Sequence, residues 1–411
     1  MILKCCNYIK RYTLPFILVL GTMLVSGCTG TMNDTTIQET AGTRTITDMY
    51  GRTVEIPLII ERVVAIDDGF VEGLMYRFGL EDQIVGIGGE WVKDYTYSFE
   101  TTEGSIYEYT KGMNPVRYLI PELADLPVLV TTGTAMNYET LASLDPDVLF
   151  LRAGASAYQA GNDENLQKTI QTIDSLGIPL VILVGPPYQD EPTVDQISEE
   201  IRLVGKVFSR QEDADTLARY IDGQIAMIRE RTRDIPEEEK PTVMQLGLSP
   251  RARQGGGAAM AWGGDTIESY FIEEIANAKN AYKGSGAFVV ISTEQILTID
   301  PDVIVLPTAQ GYHPANELYT APYYQNLQEL TAVKNQRVYA LPWTPMNWAK
   351  RLEYPIEALI IAKAAYPDRF ADIHVGEWTL DFYQQVYLVD EATARELRAT
   401  QWLDWMEEEG F

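Results

Sequence analysis

The apolar and polar positions of this chain repeat in two halves. Residues 139–150 read ETLASLDPDVLF and residues 294–305 read EQILTIDPDVIV, with five of twelve positions identical at a spacing of 155. In each copy an acid (Glu139, Glu294) opens a short helical pattern and Asp-Pro-Asp ends it. The apolar run that follows, Val148–Leu151 or Val303–Leu306, has the length and branching of a buried parallel strand. Proline cannot continue a helix and holds its predecessor extended, so Asp-Pro-Asp predicts a sharp helix-to-strand corner. Asn137 and Ser292 align as N-caps, which puts each glutamate at the second helical position, where an acid interacts well with the helix dipole.

The flanking pattern agrees. The first half reads as strands Arg62–Ile66, Ile84–Ile87, Val128–Val130, Val148–Leu151 and Pro179–Val184, with helical segments at 69–80, Asn137–Leu144 and Leu166–Leu176. The second reads as strands Thr242–Leu246, Val303–Leu306 and Arg337–Leu341, with helical segments at Thr266–Ala276, Tyr323–Leu330 and Pro355–Tyr366. Strand, crossover helix and strand imply parallel sheets. A hairpin is expected around Tyr50-Gly51, and capping boxes at Thr193-x-x-Gln196 and Ser209-x-x-Glu212 predict two helices. The second runs to about Arg233 and spans roughly 33 Å at about 1.5 Å per residue. The fold expected is α/β, with two three-layer lobes built on parallel sheets and joined by a single long helix. The boundaries are 45–208 for the N-terminal lobe, 209–235 for the interlobe helix and 236–411 for the C-terminal lobe, whose last stretch, Trp378–Phe411, reads as two extra helices packed on the outside.

The first residues follow another logic. Lys4, Lys10 and Arg11 precede the apolar run Leu14–Val25, which is short for a membrane span and shaped like a secretion signal. It ends in Leu24-Val25-Ser26-Gly27-Cys28, which resembles a lipobox. Residues 1–27 are therefore expected to be a signal peptide and 28–44 a lipidated N-terminus and flexible tether, with Cys28 carrying the lipid. The location implied is extracytoplasmic, lipid-anchored to the outer face of the cytoplasmic membrane. Cys5 and Cys6 are lost on that reading, so no internal disulfide can form.

Of 411 residues, 46% are hydrophobic and 22% charged, as in ordinary globular proteins, but the formal charge is −27. Cleavage before Cys28 removes three cations and no acids and takes it to −30. Such a balance argues against nucleic acid as a partner.

In parallel α/β sheets ligands sit at the carboxyl ends of the strands. Those ends carry Asp67 and Asp68, Trp91 and Tyr95, Arg152, Tyr188, Arg251, Arg253 and Trp262, Tyr312 and His313, and Trp343, Asn347, Trp348, Lys350 and Arg351. Aromatic and cationic groups within an acidic protein suit a bulky ligand bearing negative charge. The ligand contacts expected from this set are Trp91, Tyr95, Arg152, Arg251, Arg253, Trp262, Tyr312, Trp343, Asn347, Trp348 and Arg351. Asp67-Asp68 is expected to cap the helix that follows. With His313 and His374 the only histidines, a multi-histidine metal site is excluded. No nucleophile elbow, Walker loop or dinucleotide fingerprint occurs, so neither an enzymatic activity nor a cofactor is expected.

Over residues 45–370 the chain resembles the helical-backbone substrate-binding proteins of ABC importers, the class that takes up ferric siderophores, haem and vitamin B12. The resemblance is carried by TDMYGRTVEIP (47–57) before ERVVA (61–65), both Glu…Asp-Pro-Asp stretches, GGDTIE (263–268) and YPDRF (366–370). It implies a binding protein that captures an iron complex, a siderophore-like chelate, between its lobes. It also implies a dimeric permease with its ATPase as partner, with Glu139 and Glu294 at the positions that dock onto permease arginines. Cobalamin or haem in the same role, an extracytoplasmic chelate-processing enzyme, and a ligand-sensing receptor are the alternatives. The Glu90–Pro127 insertion and the helices beyond His374 exceed the compact members of that class.

Overall fold

The computed structural model describes residues 42–411 apart from 94–96, 101–105, 110–113, 132–134, 159–162, 189–190, 308–314 and 345–346. Residues 1–41, and with them the signal segment, Cys28 and most of the tether expected over 28–44, lie outside the described residues, as do Tyr95, Tyr312 and His313; Thr43 and Arg44, at the end of that tether, belong to a strand.

An antiparallel hairpin, β1 (Thr43–Thr47) and β2 (Thr53–Pro57), turns at Tyr50-Gly51 as expected, with Gly51 at φ 79°. Then come β3 (Val63–Ile66) and β4 (Ile84–Gly89), a small antiparallel pair β5 (Tyr97–Glu100) and β6 (Ile106–Tyr109), and β7 (Val128–Val130), β8 (Val148–Ala153) and β9 (Leu180–Val184). Strands β7-β4-β3-β8-β9 form one parallel sheet in that order. Strands β3, β8 and β9 are buried along their whole length, because helices cover both faces.

The second half contains β10 (Thr242–Gly247), β11 (Ala259–Ala261), β12 (Lys279–Asn280), β13 (Val289–Ile291), β14 (Val303–Leu306) and β15 (Val338–Ala340), in the order β13-β11-β10-β14-β15 with β12 also on β10. Strands β10, β12, β14 and β15 run parallel. Strands β11 and β13, which the sequence pattern does not predict, are antiparallel additions at one edge.

The two repeat copies fold alike. Asn137 accepts from Thr140 N at 2.9 Å, and Ser292 forms a full capping box with Gln295. The helices Tyr138–Leu144 and Thr293–Ile299 both end on the aspartate before proline, Asp145 and Asp300, which is left-handed at φ 43° in place of the extended conformation expected there. The second aspartate of each corner has a task the pattern alone did not reveal. Asp147 Oδ2 accepts from the amides of Glu61 (2.7 Å) and Arg62 (2.9 Å), and Asp302 Oδ2 from the amide (2.8 Å) and hydroxyl (2.7 Å) of Thr242. Each therefore pins the start of a strand (β8, β14) to the start of its neighbour (β3, β10).

The helix Gln211–Thr232 links the halves. Leu217, Ile221, Ile225 and Ile228 are buried, against the helix Ile197–Val207 and the helix Tyr354–Ala365. Neither expected capping box forms at Thr193 or Ser209. The helix Ile197–Val207 starts three residues late, with Gln196 at the cap position, and Ser209 takes φ 57° in the corner between the two helices. A Cβ at Gly205 would lie 2.2 Å from Ala214 Cβ, so close packing of this corner sets the backbone that a cap would need.

The C-terminal helices Val375–Tyr387 and Glu391–Thr400, expected on the outside, reach both halves. They lie on the helices Phe70–Phe78 and Pro115–Leu119. Arg77 donates to the carbonyls of Gln385 (2.5 Å) and Val386 (2.8 Å) and, through Nη2, to Asp213 at 2.7 Å. On the second half, Trp343 N donates to Gln401 O at 2.8 Å and its ring meets Trp402 at 6.2 Å.

Candidate functional site

The carboxyl ends of β3, β4 and β8 meet the segment 347–353 of the second half in a buried polar cluster. Gly69, at φ 104°, holds the cap position of the helix after β3, and Asp67, two residues before it, accepts from Val71 N at 2.6 Å, in place of the cap expected of the pair. Asp68 does not cap. It accepts from Trp91 Nε1 (2.8 Å), Ser156 N (2.5 Å) and Ala157 N (2.9 Å), so it ties the ends of β4 and β8 to β3.

Arg152 is wholly buried. Nε and Nη2 donate to the two oxygens of Glu200, each at 2.7 Å, Nη1 donates to Lys350 O at 2.8 Å, and the guanidinium lies 4.0 Å over the Phe70 ring. Arg351 returns the contact, donating from Nη1 to Asp68 O at 3.0 Å. Lys350, at φ 57°, points its ammonium at Glu357 (3.0 Å) and Glu268 (3.6 Å). Burial pulls that lysine down, but the two glutamates more than offset it and hold it above its ordinary value.

Burial pushes Asp68 up, and the charge of Asp67 adds to the effect. Glu72, one turn into the helix, is held well above the glutamate range, by burial first and by Asp67 next. Glu200 is pushed up to about 7 by burial, against the pull of Arg152. Of the expected ligand contacts, Trp91, Arg152 and Arg351 all belong to this cluster, at 4%, 0% and 1% exposure, beneath the surface where the two halves meet. Trp343, also 0% exposed, sits apart with the C-terminal helices.

The other expected contacts among the described residues, Arg251, Arg253, Trp262, Asn347 and Trp348, follow strands of the second sheet. Ser249 caps the short helix Pro250–Gln254, which carries Arg251, exposed, and Arg253, half-buried. Arg253 lies 4.2 Å over the Tyr323 ring and 5.3 Å from that of Tyr324, and donates to Leu248 O at 3.3 Å and to the Tyr324 hydroxyl. Tyr323 in turn donates to buried Glu317, and burial together with that carboxylate raises its phenol pKa. Trp262, buried after β11, meets Phe288 at 5.2 Å, and Phe288 meets half-buried Trp348 at 5.0 Å and 87°. Asn347 shapes the turn beside Trp348 by accepting from Arg351 N at 2.8 Å.

Sequence reasoning missed Phe288, Tyr323, Tyr324 and Glu200. The tyrosines fell inside a helical segment, and Phe288 had only the preceding Gly-Ser-Gly as a signal. Glu139 and Glu294 are exposed at matching second positions of their helices. Among the described residues no group of three His, Cys, Asp or Glu side chains could hold a metal ion, and no helix is long and apolar enough to cross a membrane.

Two lobes on parallel sheets, bridged by one long helix, with aromatic and cationic groups at the strand ends, define a solute-binding architecture. The chain belongs to the periplasmic binding protein family, whose model matches residues 64–344, and is a substrate-binding component of the ABC-importer type. It is similar to the molybdate-binding protein MolA of Haemophilus influenzae, at 25% identity over 84% of this chain and 91% of that one. The Fe(3+)-citrate-binding protein YfmC of Bacillus subtilis is 24% identical over 84% of this chain and 94% of its own. A periplasmic solute-binding protein of Veillonella parvula shares the fold, with a TM-score of 0.69, 22% identity, and coverage of 90% of this chain and all of that one.

Proposed function

We propose that this protein is the lipid-anchored, extracytoplasmic receptor that captures an anionic metal chelate, an iron complex of the siderophore kind, and hands it to an ABC permease. The observation that carries the reading is the rim of the second sheet, where the short helix bearing Arg251 and Arg253 packs through Ala252 on the buried Trp262, and half-buried Trp348 ends the aromatic row that starts there. The flat Trp348 indole takes up the organic part of a chelate, and the Arg253 guanidinium held over Tyr323 pairs with its negative charge. Two relatives named for molybdate and for Fe(3+)-citrate support an anionic, metal-containing ligand. Glu139 and Glu294, one on each half and alike in position, dock onto the two subunits of the permease, and Cys28 carries the lipid.

A thermal-shift screen of the soluble chain from residue 29 onward against ferric chelates, haemin, cobalamin and oxyanions tests the ligand class. A ligand at about 100 times its Kd adds roughly 2.7 kcal/mol of stability. A shift with ferric chelates supports the reading, and silence to all of them with a folded protein refutes it. For docking, Glu139→Ala with Glu294→Ala abolishes uptake and leaves affinity intact; a loss of affinity in that variant would place the glutamates in the wrong role.

A further inference from the structure

The GGDTIE stretch at 263–268 has a job in the structure that leads to one residue. Gly263 N donates to Gly286 O at 2.9 Å, Gly264 N to Gly284 O at 3.0 Å, and Gly286 N to Asp265 Oδ1 at 2.7 Å. A Cβ at Gly263 would lie 2.4 Å from Gly284 O and 2.5 Å from Ser285 Cα, so only glycine permits this approach. The clamp holds the loop 284–286 flat on the end of β11. The next residue but one, Phe288, has φ 57°, a backbone region that a bulky aromatic residue enters rarely and keeps only when its surroundings impose it.

The ladder explains where its ring goes. Ala261 pairs with Val289, which sets Trp262 and Phe288 opposite each other one step beyond the strands. The buried Trp262 indole backs the Phe288 ring, and the Phe288 ring meets Trp348 nearly perpendicularly. The three rings form a buttress from the core to the rim, with Phe288 in the middle.

We propose that Phe288 is a positioning residue that holds the Trp348 indole at the rim, and that it thereby makes the site select chelates with flat aromatic donors over compact carboxylate ones. This rests on the ligand-binding role given above. Offset and edge-to-face aromatic contacts reward a flat ligand ring only when the receiving indole is held in one orientation.

The experiment uses the soluble chain with two probes, ferric tris(2,3-dihydroxybenzoate) and ferric citrate, read by tryptophan quenching, together with near-ultraviolet circular dichroism without ligand. The wild type binds the aromatic chelate more tightly. Phe288→Leu keeps apolar volume and removes the flat ring. It weakens the aromatic chelate about tenfold, about the size of one lost aromatic pair. It leaves ferric citrate within about threefold and reduces the near-ultraviolet tryptophan signal, while Phe288→Tyr restores both. In a Trp348→Ala background Phe288→Leu has no further effect, because the residue acts through that indole. Should Phe288→Leu not fold, Phe288→Gly, which suits the positive φ, gives the same binding test.

Unchanged selectivity and dichroism in Phe288→Leu overturn the proposal while the binding role stands. A wild type that prefers ferric citrate overturns the selectivity. A wild type silent to both probes overturns the ligand class itself.

Discussion

Replacing Arg152 with methionine removes a cation that three hydrogen bonds hold inside the protein. It strands Glu200, which is 0% exposed and has both oxygens on that guanidinium. Breaking a buried pair from one side costs about 3–5 kcal/mol. Unfolding entropy of about 2.1 cal/mol/K per residue over the roughly 370 residues from Ala41 onward comes to about 0.8 kcal/mol/K. The melting temperature should therefore fall by about 4–6 °C.

The cost depends on pH. Glu200 lies at about 7 with its partner present and higher without it, so the variant carries an extra proton in the folded state above pH 7. Its deficit grows there by up to about 1.4 kcal/mol per pH unit. Arg152→Met with Glu200→Leu replaces the pair by apolar groups and should recover most of the loss. Denaturant melts of the four proteins at pH 6 and pH 8 measure the cycle. A single variant as stable as the wild type, or a double variant no better than the single, would show that the pair is not what the geometry says it is.

Glu72→Gln tests the buried acid beside Asp67. The folded state holds the Glu72 proton to a higher pH than the unfolded chain, so wild-type stability is complete at low pH and is lost as pH rises through the raised value. The amide has no proton to give up, so the variant should match the wild type near pH 4.5 and exceed it at pH 8 in urea melts; parallel pH profiles would refute this. Ser292→Ala removes the hydroxyl arm of a capping box, leaving the backbone amide of residue 292 on Gln295, and should cost about 1 kcal/mol, with Asn137→Ala costing a similar amount, measured by the same melts. No loss in either would mean that water replaces the cap. Trp348→Ala should weaken chelate binding without lowering the melting temperature by more than a few degrees, because the ring is half-buried at the rim. Full affinity would displace the site from that rim.

Much of this fold could be read from residues 139–150 and 294–305, because Asp-Pro-Asp corners constrain the backbone locally and recur. Signals that depend on tertiary fit were misread. Ser292 and Ser209 begin the same motif, yet only the first caps, since the close packing of Gly205 on Ala214 fixes the turn at Ser209. The strand ends place the expected ligand contacts at the carboxyl edges of the sheets but do not tell which of them face outward. A parallel strand buried on both faces has no polar alternation to show that Arg152 turns inward to Glu200. Phe288 was illegible for another reason, as its conformation is imposed by Gly263 and Gly264, more than twenty residues earlier in the chain.

The position of the C-terminal helices bears on the order in which the molecule can be completed. The helix Phe70–Phe78 belongs to the first sheet, but Tyr76 and Arg77 find Tyr387, Gln385 and Val386 only after some 300 further residues have been made. During synthesis the first half waits with an apolar flank uncovered until the helix Val375–Tyr387 seals it. Phe411 braces the start of that helix from the second half. Phe411 packs on Trp405 at 5.1 Å and Tyr339 at 5.0 Å, and its carbonyl accepts from Val375 N at 2.9 Å. A chain cut before Val375 would therefore leave bare a flank of the half that is translated first.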